Sequence, residues 1–193
     1  MSLFAATSLV IAPGATPISL SIEPGEVRVM VDAHPELGRS LALLKRPQAG
    51  QVLFDGQDLV RLTEGALRKV RRRLQYVGGD PRRALLPQQT LARALSEPLA
   101  IHKLAGPGDP RQRIEAAART LGLSVTLLDR SVGNLSTTLR WRALVARALT
   151  LDPGLLIVDS PAAYVGAALL PGLLADVTAA RGAAGLLWLG QVG

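Results

Sequence analysis

The chain has 193 residues, 48% of them hydrophobic and 19% charged, with no cysteine. That length carries one domain with a sizeable core, the apolar fraction excludes a disordered chain, and disulfides and thiolate metal sites are ruled out. Two histidines (His34 and His102) leave little for a histidine metal centre, and 3% aromatics speak against base-stacking nucleic-acid modules.

The formal charge is +7, and all but Lys45, Lys69 and Lys103 of its 22 basic residues are arginine. A biased composition accounts for it better than an acidic partner does, since a basic balance alone says little about function. Residues 1–22 carry no side-chain charge, but they lack a basic start and contain Pro13, Gly14 and Pro17. Residues 161–175 are interrupted in the same way by Pro161, Gly166, Pro171 and Gly172. Neither stretch reads as a signal peptide or membrane span, and a cytoplasmic protein is expected.

In chain order, Ile18–Ile22 alternates apolar and polar residues, as a half-buried strand does. Glu23-Pro-Gly-Glu26 is a turn, followed by a buried-strand run at Val27–Val31 and a loop at Asp32–Leu37. Ser40–Leu44 opens a helix. Gln51–Phe54 with Asp55-Gly56 reads as a strand and turn. Thr63–Arg73 has helical spacing and a cationic face, and Leu74–Val77 is a short strand. Helices are expected at Arg111–Leu121 and Leu139–Thr150, the latter with Ser136 as N-cap. Leu155–Val158, ending in Asp159, and Gly185–Leu189 read as buried parallel strands around a helix at Leu169–Ala180. This alternation predicts an α/β domain with a largely parallel sheet. In such sheets functional residues gather at the carboxyl ends of strands: Asp32–Ser40, Gly78–Pro81, Asp159–Tyr164 and Gly190.

Two long segments carry a family resemblance. RRRLQYVGGDPRRALLPQQTLARALSEPLAIH is similar to the Q-loop region of ABC transporter ATP-binding subunits of the oligopeptide and dipeptide import branch, and NLSTTLRWRALVARALTLDPGLLIVDSP resembles their signature helix and Walker B strand. The resemblance runs from about Ile18 to the end of the chain. It implies a P-loop NTPase-like core with a largely parallel sheet, a small antiparallel β part near the N-terminus and a helical subdomain at about residues 80–140. The whole chain, 1–193, would then be a single ABC-ATPase-like domain lacking the family's C-terminal extension.

The departures from the family pattern are concentrated at the ligand-handling positions. In a working G-x-x-x-x-G-K-[ST] loop, glycines let backbone N–H groups close round phosphates that the lysine bridges. The corresponding stretch here is Ala33-His-Pro-Glu-Leu-Gly-Arg-Ser40. Gly38, Arg39 and Ser40 remain as vestigial phosphate-loop candidates, while Pro35 removes a donor and Glu36 brings a carboxylate. At roughly 5 Å and an effective dielectric of about 20, each like charge costs about 3 kcal/mol, a hundredfold in affinity. Arg39 offsets part of this, although a planar guanidinium does not substitute for a compact ammonium.

By the same resemblance the Q-loop glutamine falls at Gly79. The signature is Leu135-Ser-Thr-Thr-Leu139, with Ser136 as its vestige. Asp159 is the vestigial magnesium candidate, Ser160 stands where the catalytic glutamate should be, and Gly190 where the switch histidine should be. No aromatic lies near Leu9–Ala12 to stack on adenine. The resemblance with its losses implies a catalytically inactive subunit. Such a subunit would act as a structural or regulatory partner that pairs with an active ABC ATPase, docks a membrane permease or joins another complex. No catalytic residue, cofactor or metal is expected. The protein would be cytoplasmic, reaching the inner face of the membrane only through a partner. Two alternatives stand beside this reading. One is a divergent subunit that still binds or hydrolyses ATP with magnesium through Gly38, Arg39, Ser40 and Asp159. The other, disfavoured by the lack of aromatics, is an anionic-surface or nucleic-acid binder using Arg68–Arg73, Arg82, Arg83 and Arg140–Arg147.

Overall fold

The computed structural model describes residues 2–103 and 109–192; residues 104–108, within the expected helical subdomain, and the two terminal residues lie outside the described residues. Two four-stranded sheets organise the chain. The antiparallel one is built from β1 (Phe4–Val10), β2 (Ile18–Ile22), β4 (Ala49–Phe54) and β5 (Gln57–Asp58), in the order β2-β1-β4-β5. The parallel one holds β3 (Val27–Met30), β6 (Leu74–Gly78), β7 (Leu155–Asp159) and β8 (Gly185–Leu189), in the order β3-β8-β7-β6.

Strand β1 escapes the sequence pattern for a physical reason. Its buried residues are Phe4, Ala6 and Leu9, so the period of two breaks after Ala6. Ser8 adopts a left-handed backbone (φ 47°), and the register with both neighbours shifts there. A bulge of this kind adds one residue and carries the inward face past it. Opposite the bulge, Gly50 (φ +97°) lets the two backbones close up: a Cβ there would stand 2.5 Å from the Ser8 carbonyl oxygen and 2.6 Å from Leu9 Cα.

Strands β7 and β8 are buried along their whole length, as their unbroken apolar runs require. Leu155, Ile157, Leu187 and Leu189 face a core shared with Phe4, Leu9, Val52 and Leu41. Leu156, Val158, Leu186 and Trp188 face the helices. These are α4 (Leu91–Ile101), α5 (Pro110–Thr120), α6 (Thr137–Leu149) and α7 (Leu170–Ala180), preceded by the short α1 (Leu37–Leu41), α2 (Glu64–Val70) and α3 (Pro81–Ala84). No described helix is long and apolar enough to cross a membrane.

The first helix departs from expectation. It starts three residues before Ser40, spans five residues and is over by Ala42. Leu43 turns left-handed (φ 49°), and the Leu44 N–H bonds back to the Arg39 carbonyl at 2.8 Å. Strand β3 forms an edge of the parallel sheet. Val27 and Val29 line one face of it, 37 and 39% exposed, and Val31 in the turn just beyond is 58% exposed.

Candidate functional site

The carboxyl ends of β3, β6, β7 and β8 bring the sequence-predicted residues Gly38, Asp159, Ser160 and Gly190 into one cluster, with Ser40 on the same short helix. A Cβ on Gly38 would lie 2.5 Å from Asp159 Oδ2 and 3.0 Å from Leu189 Cδ1, so α1 approaches β7 through a position only glycine fits. Asp159 is 6% exposed. Both its oxygens take protein hydroxyls: Tyr76 donates to Oδ2 at 2.9 Å and Ser160 to Oδ1 at 2.8 Å. Ser160 holds a left-handed backbone (φ 53°), and its N–H donates to the Leu189 carbonyl at 2.8 Å. Burial foremost, then the Asp159 charge and hydrogen bond, push the Tyr76 hydroxyl well above the ordinary tyrosine range, so it remains a neutral donor. Ser40 is fully buried, and its Oγ has no hydrogen-bond partner among the described residues.

The loop from β3 to α1 is held together by His34. Its Nδ1 accepts the Glu36 N–H at 3.1 Å, and its carbonyl accepts the Leu37 N–H at 2.8 Å. These two donors are thereby engaged within the loop. The Glu36 carboxylate is flanked by Lys45 Nζ at 3.2 Å and Arg39 Nη1 at 4.0 Å. The half-exposed Arg39 guanidinium, one helical turn on in α1, therefore lies near Glu36. Sequence reasoning missed both His34 and Tyr76. The spacing of His34 and Glu36 offers a local signal for a turn, but Tyr76 lies 83 residues from its partner, and no local pattern marks it.

The remaining predicted positions lie apart from one another in role. Ser136 caps α6: its Oγ accepts the Leu139 N–H at 3.3 Å. Ser136→Ala is expected to cost about 1 kcal/mol of stability, measured by chemical denaturation, with no change in any binding property. Gly79 (φ 83°) sits in open space after β6. Several of the arginines that could have formed a basic face pair within the molecule. Arg71 pairs with Glu64, Arg73 with Asp55 and Arg82 with Asp80. On α6, Arg140 donates to the carbonyls of Leu135 (3.0 Å) and Gly133 (2.8 Å), and Arg142 to Asp176 at 2.5 Å. Among the described residues, no group of three or more His, Cys, Asp or Glu is placed to hold a metal ion.

Comparisons with known proteins agree on one family. A family model described as ABC transporter matches residues 16–163. The oligopeptide transport ATP-binding protein AppF of Bacillus subtilis is 35% identical over 149 residues, which cover 75% of this chain and 45% of that protein. The glutathione import ATP-binding protein GsiA of Escherichia coli is 32% identical over 146 residues, covering 74% and 23%. The chain spans about half the length of the first curated relatives it matches, or less. Among solved structures, CbiO1 of Clostridium perfringens, part of an ABC transporter complex, superposes with a TM-score of 0.81 at 20% identity, covering 98% of this chain and 79% of that one. The dimeric cassette MJ0796 gives a TM-score of 0.79 at 20% identity, covering 98% and 88%. At that identity the two structures establish the fold, which is that of the ABC ATPase cassette.

Proposed function

The chain belongs to the ABC transporter family, among ATP-binding domains of the peptide-import branch, and on that premise we propose that it is a non-catalytic member, acting as a structural or regulatory subunit of a protein complex. The observation that carries this reading is the state of Asp159. A carboxylate that orients magnesium water offers its oxygens to that water, and here each oxygen already accepts one protein hydroxyl, Oδ2 from Tyr76 and Oδ1 from Ser160.

The surroundings are a poor fit for a magnesium–triphosphate. Gly38 packs directly on Asp159, His34 engages two loop N–H groups, and the Glu36 carboxylate occupies the Lys45 ammonium that an anion would otherwise use. With five residues, α1 supplies little helix dipole to attract phosphate. Ser160 in place of a glutamate offers no general base to activate water. No catalytic residue, cofactor or metal is assigned.

A protein partner suits the exposed valines of β3, since an edge strand with unpaired backbone groups and an apolar stripe is a surface that proteins ordinarily cover. The partner would be an active ABC ATPase, a membrane permease or another complex. The protein would be cytoplasmic, held at the membrane's inner face only through that partner. We read residues 1–193 as a single ABC-ATPase-like unit, with the helices between about 80 and 140 as its helical subdomain.

Titrating Mg-ATP calorimetrically into the protein is expected to give no saturable heat at millimolar nucleotide, and pull-down from its source is expected to return a stoichiometric partner. Saturable binding would instead support the alternative, a divergent ATP-binding subunit using Gly38, Arg39, Ser40 and Asp159. One observation favours that alternative: the buried Ser40 hydroxyl still lacks a partner of its own. Vestigial roles for Gly38, Arg39, Ser40, Ser136 and Asp159 rest on the family pattern together with this geometry.

A further inference from the structure

We propose that the cavity between β6 and α6, beside the guanidinium of Arg147, is a binding slot for a carboxylate. The cavity measures about 50 Å³ and is walled by Gln75, Tyr76 and Gly78 on the strand side and by Ala84, Leu144 and Arg147 on the helix side. That space holds a group of a few heavy atoms.

The polar side chains in its wall differ in what they have left to offer. The Tyr76 hydroxyl is taken by Asp159, and the Gln75 amide nitrogen is turned to the Arg71 carbonyl. The Arg147 guanidinium carries five N–H donors, and among the described residues its one hydrogen bond runs from Nη1 to the Ala84 carbonyl at 3.2 Å. On the same helix, Arg140 has two carbonyl acceptors and Arg142 has Asp176. Among the described residues Arg147 has no such partner; the Glu97 charge reaches it only through space. Burial accordingly holds its guanidinium below the usual arginine range.

A partly buried cation beside a small cavity is the arrangement an anion relieves. The planar fork of Arg147 matches a carboxylate bidentately, whereas water in the cavity leaves the charge uncompensated. The carboxylate would be that of a small free acid or of an acidic side chain presented by another protein. The slot lies on the helix-facing flank of β6, and nothing in the argument depends on the fate of the nucleotide site.

The test uses sodium formate against sodium chloride at constant ionic strength, following the Arg147 Nε–Hε resonance and the midpoint of thermal unfolding. Wild type is expected to saturate with a Kd on the order of millimolar, the ceiling for a ligand of so few atoms. Arg147→Gln is expected to weaken binding at least tenfold. Ala84→Leu keeps the cation but fills the space, and it is expected to abolish saturation even if the first variant fails to fold. A capped peptide with one glutamate, compared with its glutamine twin, distinguishes the sources. Competition with formate by the glutamate peptide assigns the slot to a partner's side chain, and formate binding without competition assigns it to a free acid. If neither probe saturates on wild type, or if Ala84→Leu titrates like wild type, the slot does not exist.

Discussion

Gly50→Ala is expected to destabilise the protein by about 3 kcal/mol, combining a left-handed backbone penalty of about 1–2 kcal/mol with an overpacking cost of about 1–3 kcal/mol. The positive φ of +97° disfavours any side chain, and the clash is with the Ser8 and Leu9 backbone, which a rotamer change does not move. Only a shift of β1 against β4 relieves it. Such a shift would displace Phe4, Ala6 and Leu9 from the core they share with β7 and β8. For a chain of this size the change corresponds to a fall in Tm of roughly 6–12 °C. Gly14 makes the control: its φ is +75°, yet a Cβ there meets nothing within 4 Å. Gly14→Ala isolates the conformational penalty. Equal losses in the two variants would mean that the close approach at the bulge contributes nothing.

The second large effect is expected at Tyr76. Tyr76→Phe removes the donor to Asp159 Oδ2 at 2.9 Å and leaves a buried carboxylate with one oxygen unsatisfied. A hydrogen bond to a charged acceptor is worth about 1.5–3 kcal/mol, and a loss in that range is expected from urea denaturation at pH 7. The pH dependence gives an independent signature. The folded state raises the pKa of this hydroxyl, so its contribution is fully present below the ordinary tyrosine value of about 10. Above that pH the unfolded chain loses the proton while the folded chain keeps it, so the unfolded state gains and stability falls. Wild type should therefore lose stability from about pH 10 upward more steeply than Tyr76→Phe, and the gap between them should narrow. Parallel pH profiles would show that the hydroxyl is not engaged as described. If the same substitution also raised Mg-ATP affinity, Tyr76 would be the group that keeps the metal position closed.

Elements whose signal is local were legible. Ser136 was placed as the α6 cap from its position before an apolar-periodic run, and the structure shows its Oγ on the Leu139 N–H. The strands β7 and β8 followed from apolar runs that no exposed conformation accommodates. Strand β1 was not legible, because the bulge at Ser8 puts buried residues at uneven spacing. Helix α1 was misplaced by three residues and read past its end, since the left-handed turn at Leu43 has no sequence marker. The family pattern singled out Gly38, Ser40 and Asp159, of which the structure packs Gly38 against Asp159. It did not reveal that a tyrosine from the neighbouring strand takes the carboxylate, or that His34 ties down the loop.

What the amino-acid sequence settled by itself was the α/β order, the burial of the central strands and the placing of Asp159 at a strand's carboxyl end. Each follows from periodicity and composition over a few residues, where steric preference and hydrophobic burial act on near neighbours. The tertiary structure alone decided which group donates to Asp159, where Gly50 is forced, why Arg147 faces a cavity and that Val27 and Val29 of β3 stay exposed. Those outcomes depend on distances between segments far apart in the chain. Hydrogen bonds and packing vanish within about an ångström of misfit, so only the assembled sheets and helices bring them into existence.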